Sequence, residues 1–472
     1  MDSNERSNQN GIDPWVQSPR SERDALQLMS QTLHQASPSL NVARRLSRSW
    51  TGDSRSDPGG LRDSLLERGD TDIVEENKST LAQATFNGVN VLAGVGVLSL
   101  PFAFRQTGWA LGLGFLMYLC AVTNYTGKLI GRCMSKNGQI RTYGDIGYAA
   151  FGRAGRRFIT VIFCLELLAA LSMFVTLMGD NLHKLIGTGN KDLLYTICAV
   201  IVLPTCWTSR LDLLSHLSIL GILSTLLLLV AVVEVGFSTP KGLEEGGSFR
   251  DVHWSEFRAV EDLARFPYAI GLQTVGFAGH AVFPSIYDSL QDKKVYPRVI
   301  NQTYVCASLI YCTMALLGFI LFTTHTQEEL TLNLVDVRAG DPMVILTVVG
   351  VIVNPFTKFA LTLNPLTAIA EQKVFANSTN VPRWKHLVLR TFLALCALGL
   401  AVGLPSFASI CAFVGAFCSM VVSLIFPVMC YLRLFDLGRA KKVWLWTLII
   451  INTILCIIGT VAVFFPPAPD PQ

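Results

Sequence analysis

Charge is what this chain has least of. Only 15% of its 472 residues are Asp, Glu, Lys or Arg, against about 25% in an ordinary soluble domain. Hydrophobic residues, 51% of the chain, fill the gap. They fall in blocks of roughly 20, the length that crosses a bilayer core, and this excludes a soluble globular protein. Enzyme motifs are also missing. No histidine opens an H-E-x-x-H, and there is neither a G-x-S-x-G elbow nor a P-loop, so the sequence offers no catalytic residues. The loops lack cysteine pairs: all twelve cysteines, Cys120 to Cys456, lie in or at the edges of apolar blocks. They read as small buried hydrophobes, not a disulfide framework. No cleavable leader is visible. Residues 1–80 are rich in Ser, Asn, Asp and Arg and cannot bury a core, so they are expected to be a disordered cytosolic tail. No cofactor, metal ion or nucleic-acid partner is called for; the expected solvent is the lipid bilayer.

What is present is an all-α polytopic pattern of eleven expected spans: Leu81–Arg105, Trp109–Cys133, Phe158–Met178, Asp192–Trp207, Ser215–Phe237, Phe266–Leu290, Val299–Phe322, Pro342–Glu371, His386–Leu404, Ser406–Leu432 and Val443–Phe465. Lys and Arg in the loops set the orientation. With a cytosolic N-terminus the inner loops hold 18 and the outer loops 8, which puts the short 466–472 tail on the non-cytosolic side. The sequons at Asn77, Asn124, Asn301 and Asn377 then lie on or near the cytosolic side, and no N-glycosylation is expected. Arg141–Phe151 is too short and polar to cross and reads as an interfacial helix.

Two of the spans are interrupted in the same way. The first carries Gly94-Val95-Gly96-Val97-Leu98-Ser99-Leu100-Pro101, the sixth Gly276-Phe277-Ala278-Gly279-His280-Ala281-Val282-Phe283-Pro284. In each, a glycine is followed five positions later by proline, and Gly96 and Gly279 are 183 residues apart. Broken backbone is tolerated at membrane depth only where protein or a water-filled cavity surrounds it. A matched pair of breaks is the sequence signature of a transporter site. Five spans run from 81 to 237 and five from 266 to 432, each set opening with a broken helix and running in opposite senses. This is an inverted 5+5 repeat with one extra helix, 443–465.

The breaks also suggest a cargo. Half-helix N-termini present N–H groups and a positive dipole end to a carboxylate. Freed carbonyls suit an ammonium group. A site with both fits an α-amino acid. Asn87 and Asn90 share a face with Gly94; Asn90 is either a ligand to substrate or ion, or glue between helices. His280 is either a titrating coupling group or a neutral packing residue. Glu166 and Lys358 lie mid-span, where a lone charge costs at least ~2.5 kcal/mol. They either pair with each other, or Lys358 stands where a sodium-driven transporter would hold its ion. Phe102, Phe277 and Phe283 hint at neutral cargo.

Several segments carry a family likeness. Phe86-Asn87-Gly88-Val89-Asn90 leading into Gly94–Pro101, Gly108-Trp109, Tyr143-Gly144-Asp145-Ile146-Gly147, Ala150-Phe151-Gly152 and Leu361–Ala368 together resemble the amino acid/auxin permease family. The likeness runs from about Ser79 to Phe465 and is nearest to vacuolar amino acid transporters of plants and fungi. It implies the eleven-span inverted-repeat fold, proton-coupled amino acid transport and a vacuolar membrane. It also implies substrate binding at Ala93, Gly94, Val95, Gly96 and Val97 and at Phe277, Ala278, Gly279 and His280. Thr357 lies near the position of an ion-binding hydroxyl in sodium-coupled relatives, with Lys358 beside it. The coupling candidates are therefore Glu166, His280, Thr357 and Lys358. The competing readings are an amino acid sensor that signals through its N-terminal tail and an uncoupled facilitator.

Overall fold

The computed structural model describes residues 78–465, apart from 188, 208–210, 244–245, 376–380 and 405, and without the side chains of 211–219. Most of the expected 1–80 tail, the 466–472 tail, Asn77 and Asn377 lie outside the described residues. Apart from connecting loops and a single bridge between Ser79 and Leu290, what is described is helical.

Fifteen α-helices follow in order. The first half holds α1 Leu81–Leu92, α2 Leu100–Thr107, α3 Trp109–Ser135, α4 Tyr143–Ile186, α5 Lys191–Trp207 and α6 Leu211–Ser238. The second holds α7 Phe266–Thr274, α8 Phe283–Ser289, α9 Tyr296–Phe322, α10 Leu330–Val337, α11 Pro342–Val374, α12 Arg383–Gly403, α13 Phe407–Phe413, α14 Phe426–Leu434 and α15 Arg439–Phe464. A π-helical segment, Val414–Ile425, joins α13 to α14.

Among the described residues, seven helices are long and apolar enough to cross a membrane, or eight when the bent pair α1 and Val95–Thr107 counts as one span. The protein is a multi-pass integral membrane protein. The expected spans outside that set have visible reasons. Helix α5 is only 17 residues long, and the sixth expected span is divided into pieces of 9, 3 and 7 residues. Helix α3 carries Asn124, Lys128 and Arg132 in its second half.

Local chemistry sets the boundaries. Thr80 caps α1 by accepting from the Gln83 amide while Gln83 accepts from the Thr80 amide, and Thr142 does the same for α4 with Asp145. Tyr143–Phe151 forms the short helix expected near Arg141–Phe151. Gly152, at φ 66° and ψ −153°, separates it from the long part of α4, a conformation that glycine tolerates and other residues resist. Helix α10, by contrast, was not expected; it lies in the connection between α9 and α11.

The interior is built on α11, which packs most extensively on α6 and α4. Its flanks are lipid-like: Val443, Trp444, Trp446 and Ile450 of α15 and Val388, Phe392 and Leu395 of α12 are exposed. Where α7 crosses the π segment, backbones touch. A Cβ at Gly271 would meet Ala412 O at 2.0 Å, and one at Gly415 would meet Gly271 O at 1.9 Å. Small residues permit such close crossings in membranes.

Candidate functional site

The first break is real and short. Helix α1 ends as the Ala93 amide donates to Val89 O; Gly94 is extended at φ −94° and ψ −165°. A 3₁₀ turn, Val95–Ser99, then leads into α2, where Pro101 sits in the first turn, a place proline favours. The two halves are bent by 49°. In the second break α7 passes into a 3₁₀ turn, Val275–Phe277, and Ala278 is extended at φ −68° and ψ 112°. Pro284 then sits in the first turn of α8.

The breaks meet. A Cβ at Gly96 would lie 3.3 Å from both Cα and N of Gly276, so main chain faces main chain. One side chain fastens the pair. Tyr311 Oη of α9 lies 2.5 Å from Leu92 O and 2.5 Å from Gly276 O. A phenol has one proton, so the two carbonyls share it. Buried broken backbone must find partners, and Tyr311 supplies one to each break. The ring stacks edge-on against Phe277 with centroids 5.2 Å apart.

Beside the first break lies a cavity of about 10 Å³, lined by Gly94, Val95, Val97 and Leu98, by Ser224, Thr225 and Leu228 of α6, and by Val351 and Asn354 of α11. Such a volume holds about one water, too little for a larger solute. Its polar wall is organised around Gly221 O, which accepts from Ser224 Oγ at 2.9 Å and Thr225 Oγ1 at 3.0 Å. Asn354 Nδ2 donates to Ser224 Oγ at 3.1 Å. Asn354 Oδ1 is buried and has no partner among the described residues. A Cβ at Gly221 would come 2.9 Å from that oxygen and 3.1 Å from Lys358 Nζ. The Lys358 ammonium thus lies at this wall, where no carboxylate pairs with it among the described residues.

The sequence-derived residues are not all gathered there. Gly94, Val95 and Val97 line the cavity; Ala93, Gly96, Phe277 and Ala278 stand at the crossing of the breaks, and half-buried Asn90 lies one turn before it on α1. A Cβ at Gly279 would press on Val91 and Leu92. His280 is 0% exposed and faces α3: its Nε2 lies 2.9 Å from Thr126 Oγ1 and 3.1 Å from Thr123 O. A carbonyl only accepts, so Nε2 carries the proton. Glu166 and Lys358 do not pair. Glu166 Oε1 accepts from Ser419 Oγ of the π segment at 2.9 Å, whereas Lys358 belongs to the α6 wall. Thr357 Oγ1 is buried and donates to Asn354 O at 2.8 Å.

Sequence reasoning missed Tyr311, Ser224, Thr225 and Ser419. Gly221, Ser224 and Thr225 did leave a trace: they interrupt the otherwise apolar run from Ile219 to Val233.

A profile of the family described as Transmembrane amino acid transporter protein matches residues 77–468. The chain belongs to that family. Among its relatives in Arabidopsis thaliana, Amino acid transporter AVT1D is 33% identical over 376 residues, 77% of this chain and 66% of that protein. Amino acid transporter AVT1I is 30% identical over 412 residues, 84% of this chain and 97% of that protein. The relatives are named as transporters and not as enzymes. Against AVT1D the chain thus spans just under two thirds of the relative's length. The fold is similar to that of a Na⁺-coupled sialic acid symporter in a substrate-bound outward-open state, with TM-score 0.54 at 13% identity, covering 96% of this chain and 99% of that one. It is also similar to a manganese transporter of Eremococcus coleocola, with TM-score 0.50 at 14% identity, covering 82% and 89%.

Proposed function

We propose that this family member is a proton-coupled secondary transporter of amino acids with a preference for neutral side chains, working by alternating access. One observation carries the reading: two interrupted helices cross with bare main chain at Gly96 and Gly276, beside a small cavity whose mostly apolar lining includes Ser224, Thr225 and Asn354. The names of its relatives support amino acid as the cargo. The eleven-span count, the inverted 5+5 repeat, the cytosolic N-terminus, the lumenal C-terminus and the vacuolar address belong to the same proposal. Substrate would bind at Asn90 and Ala93–Val97, with Phe277–His280 completing the crossing.

Lys358 is assigned the part of a built-in cation. Its ammonium lies at the wall formed by Gly221 and Asn354, next to the first break. A fixed charge there removes the need for an external sodium ion, which leaves protons as the driving ion. Thr357 supports that wall through Asn354 O. Half-buried Glu166, which accepts from Ser419 of the π segment, and buried His280, at the second break, are the proposed coupling groups. Mutating both and finding uptake still fully pH-dependent would reject their coupling role.

The test is uptake into proteoliposomes across an amino acid panel. An imposed pH gradient should drive neutral amino acids uphill without sodium. Only downhill flux would leave a facilitator, and no flux with saturable binding would leave a sensor.

A further inference from the structure

The connection between α9 and α11 holds a buried acid outside the apolar spans. Glu329 stands at the N-cap of α10, but its side chain makes no capping bond. It is 0% exposed. Oε2 accepts from Asn181 Nδ2 of α4 at 2.5 Å, while Oε1 is buried without a partner among the described residues. Asn181 Oδ1 is likewise buried and unpartnered.

The charged and titratable neighbours come from four elements. Asp180 of α4 accepts from Tyr195 Oη at 2.8 Å and from Lys191 Nζ at 3.2 Å, both near the start of α5. Glu328, next in the chain, accepts from Ser406 Oγ and from the Ala408 amide of α13. The Cys411 thiol of α13 donates to Met173 Sδ and feels both glutamates through space. Lys191 is half-exposed and engaged with Asp180; it acts on Glu329 only through space, and among the described residues no ion pair reaches that carboxyl. Burial first, and then Asp180 and Glu328, hold the Glu329 carboxyl well above the usual carboxylate range.

An ionised Glu329 would bury a charge with one oxygen unsolvated, beside a second carboxylate. A proton removes the charge and creates a donor where Asn181 offers an idle acceptor. The seated conformation is therefore the protonated one. Helix α10 also packs on the 3₁₀ turn Val95–Ser99, so its seating decides what covers the first break.

We propose that Glu329 is the proton-binding group of a gate: with the proton on, α10 seats against α4 and covers the first break, and with the proton returned to water on that face, α10 lifts. The proton comes from and goes back to the same side. The proposal deepens the proton-coupled reading and rests on it.

The experiment is hydrogen–deuterium exchange of the Leu330–Val337 amides in the full-length protein in nanodiscs, at pH 5.5 and 8.0, corrected for intrinsic exchange. Wild type should be protected about tenfold or more at the lower pH, the effect of a one-unit difference in proton affinity between the two states. Glu329→Gln should be protected at both. Asp180→Asn, which removes the facing charge, should move the transition to lower pH, and this variant keeps the test decisive if Glu329→Gln fails to fold. Equal wild-type protection at both pH values would overturn the gate, as would a wild-type pH response in Glu329→Gln. The two readings fail separately. A pH-dependent α10 without gradient-driven uptake leaves the gate and removes proton coupling. Gradient-driven uptake with an indifferent α10 does the reverse.

Discussion

Replacing Tyr311 by phenylalanine removes one oxygen and leaves the ring, with its edge-on contact to Phe277, in place. What is lost is the proton shared by Leu92 O and Gly276 O. The two breaks do not lose equally. Leu92 O keeps the Gly94 amide, 2.6 Å away, so the cost falls on Gly276 O. Leaving a buried acceptor without its donor costs about 1–3 kcal/mol. That is a change of about five- to 150-fold in any equilibrium that depends on the two breaks staying fastened. Thermal unfolding in detergent and substrate exchange in proteoliposomes both read it. Tyr311→Phe should melt several degrees earlier and exchange substrate at least about fivefold more slowly. Tyr118→Phe, which loses a 3.2 Å bond to Asn452 Oδ1 far from the breaks, serves as the control and should leave exchange near wild type. If Tyr311→Phe matches wild type in both measurements, the fastening role is wrong.

Other substitutions test other joints. Gly271→Ala drives a Cβ against Ala412 O; overpacking against backbone should cost about 3 kcal/mol or more, read as loss of monodisperse protein on size exclusion. Lys358→Met keeps the length of the stem and removes the charge, and uptake without added cations should fall at least about tenfold, a 1.4 kcal/mol effect; unchanged uptake would free Lys358 from its assigned part. Ser419→Ala removes the donor to Glu166 Oε1, at about 1–3 kcal/mol for a hydrogen bond to a charged or buried group, and should shift the pH profile of transport; an unchanged profile would free Glu166 from a coupling role. For Glu329 the sign is that of a carboxyl raised in the fold: its protonated form favours the packed state below the raised value, and that support is lost as pH rises through it. Melting temperature should therefore fall with rising pH in wild type more steeply than in Glu329→Gln.

Much of this was legible before any coordinates, because lipid makes helices long and their interruptions conspicuous. Gly94–Pro101 and Gly276–Pro284 announced both breaks, since glycine and proline seldom coincide in an apolar run without a local purpose. The short helix before Gly152 was visible in its polarity. Partners were not visible. Nothing in the pattern says that Tyr311, in the middle of a plain apolar helix, reaches two carbonyls at once, because that depends on how α9 rotates against two other elements. Glu166 and Lys358 looked like natural partners, both being isolated charges at similar depth; their different faces sent one to Ser419 and the other to the wall beside Gly221. Helix α10 escaped notice because Leu330–Val337 is too short to stand out by periodicity, and Glu329, beside Glu328 in a connecting stretch, carries no sign of its burial in the sequence.

At the crossing of Gly96 and Gly276 both partners already have the smallest residue there is. Mutation can only add atoms at that point: a Cβ at Gly96 would press on the Gly276 backbone at 3.3 Å, whereas one at Gly276 would rest against the Tyr311 ring at 3.4 Å. If the proposed site is the cargo site, a change of cargo is written most cheaply in the neighbouring wall of Ser224, Thr225, Leu228 and Val351, where side chains can still shrink, grow or change their polarity.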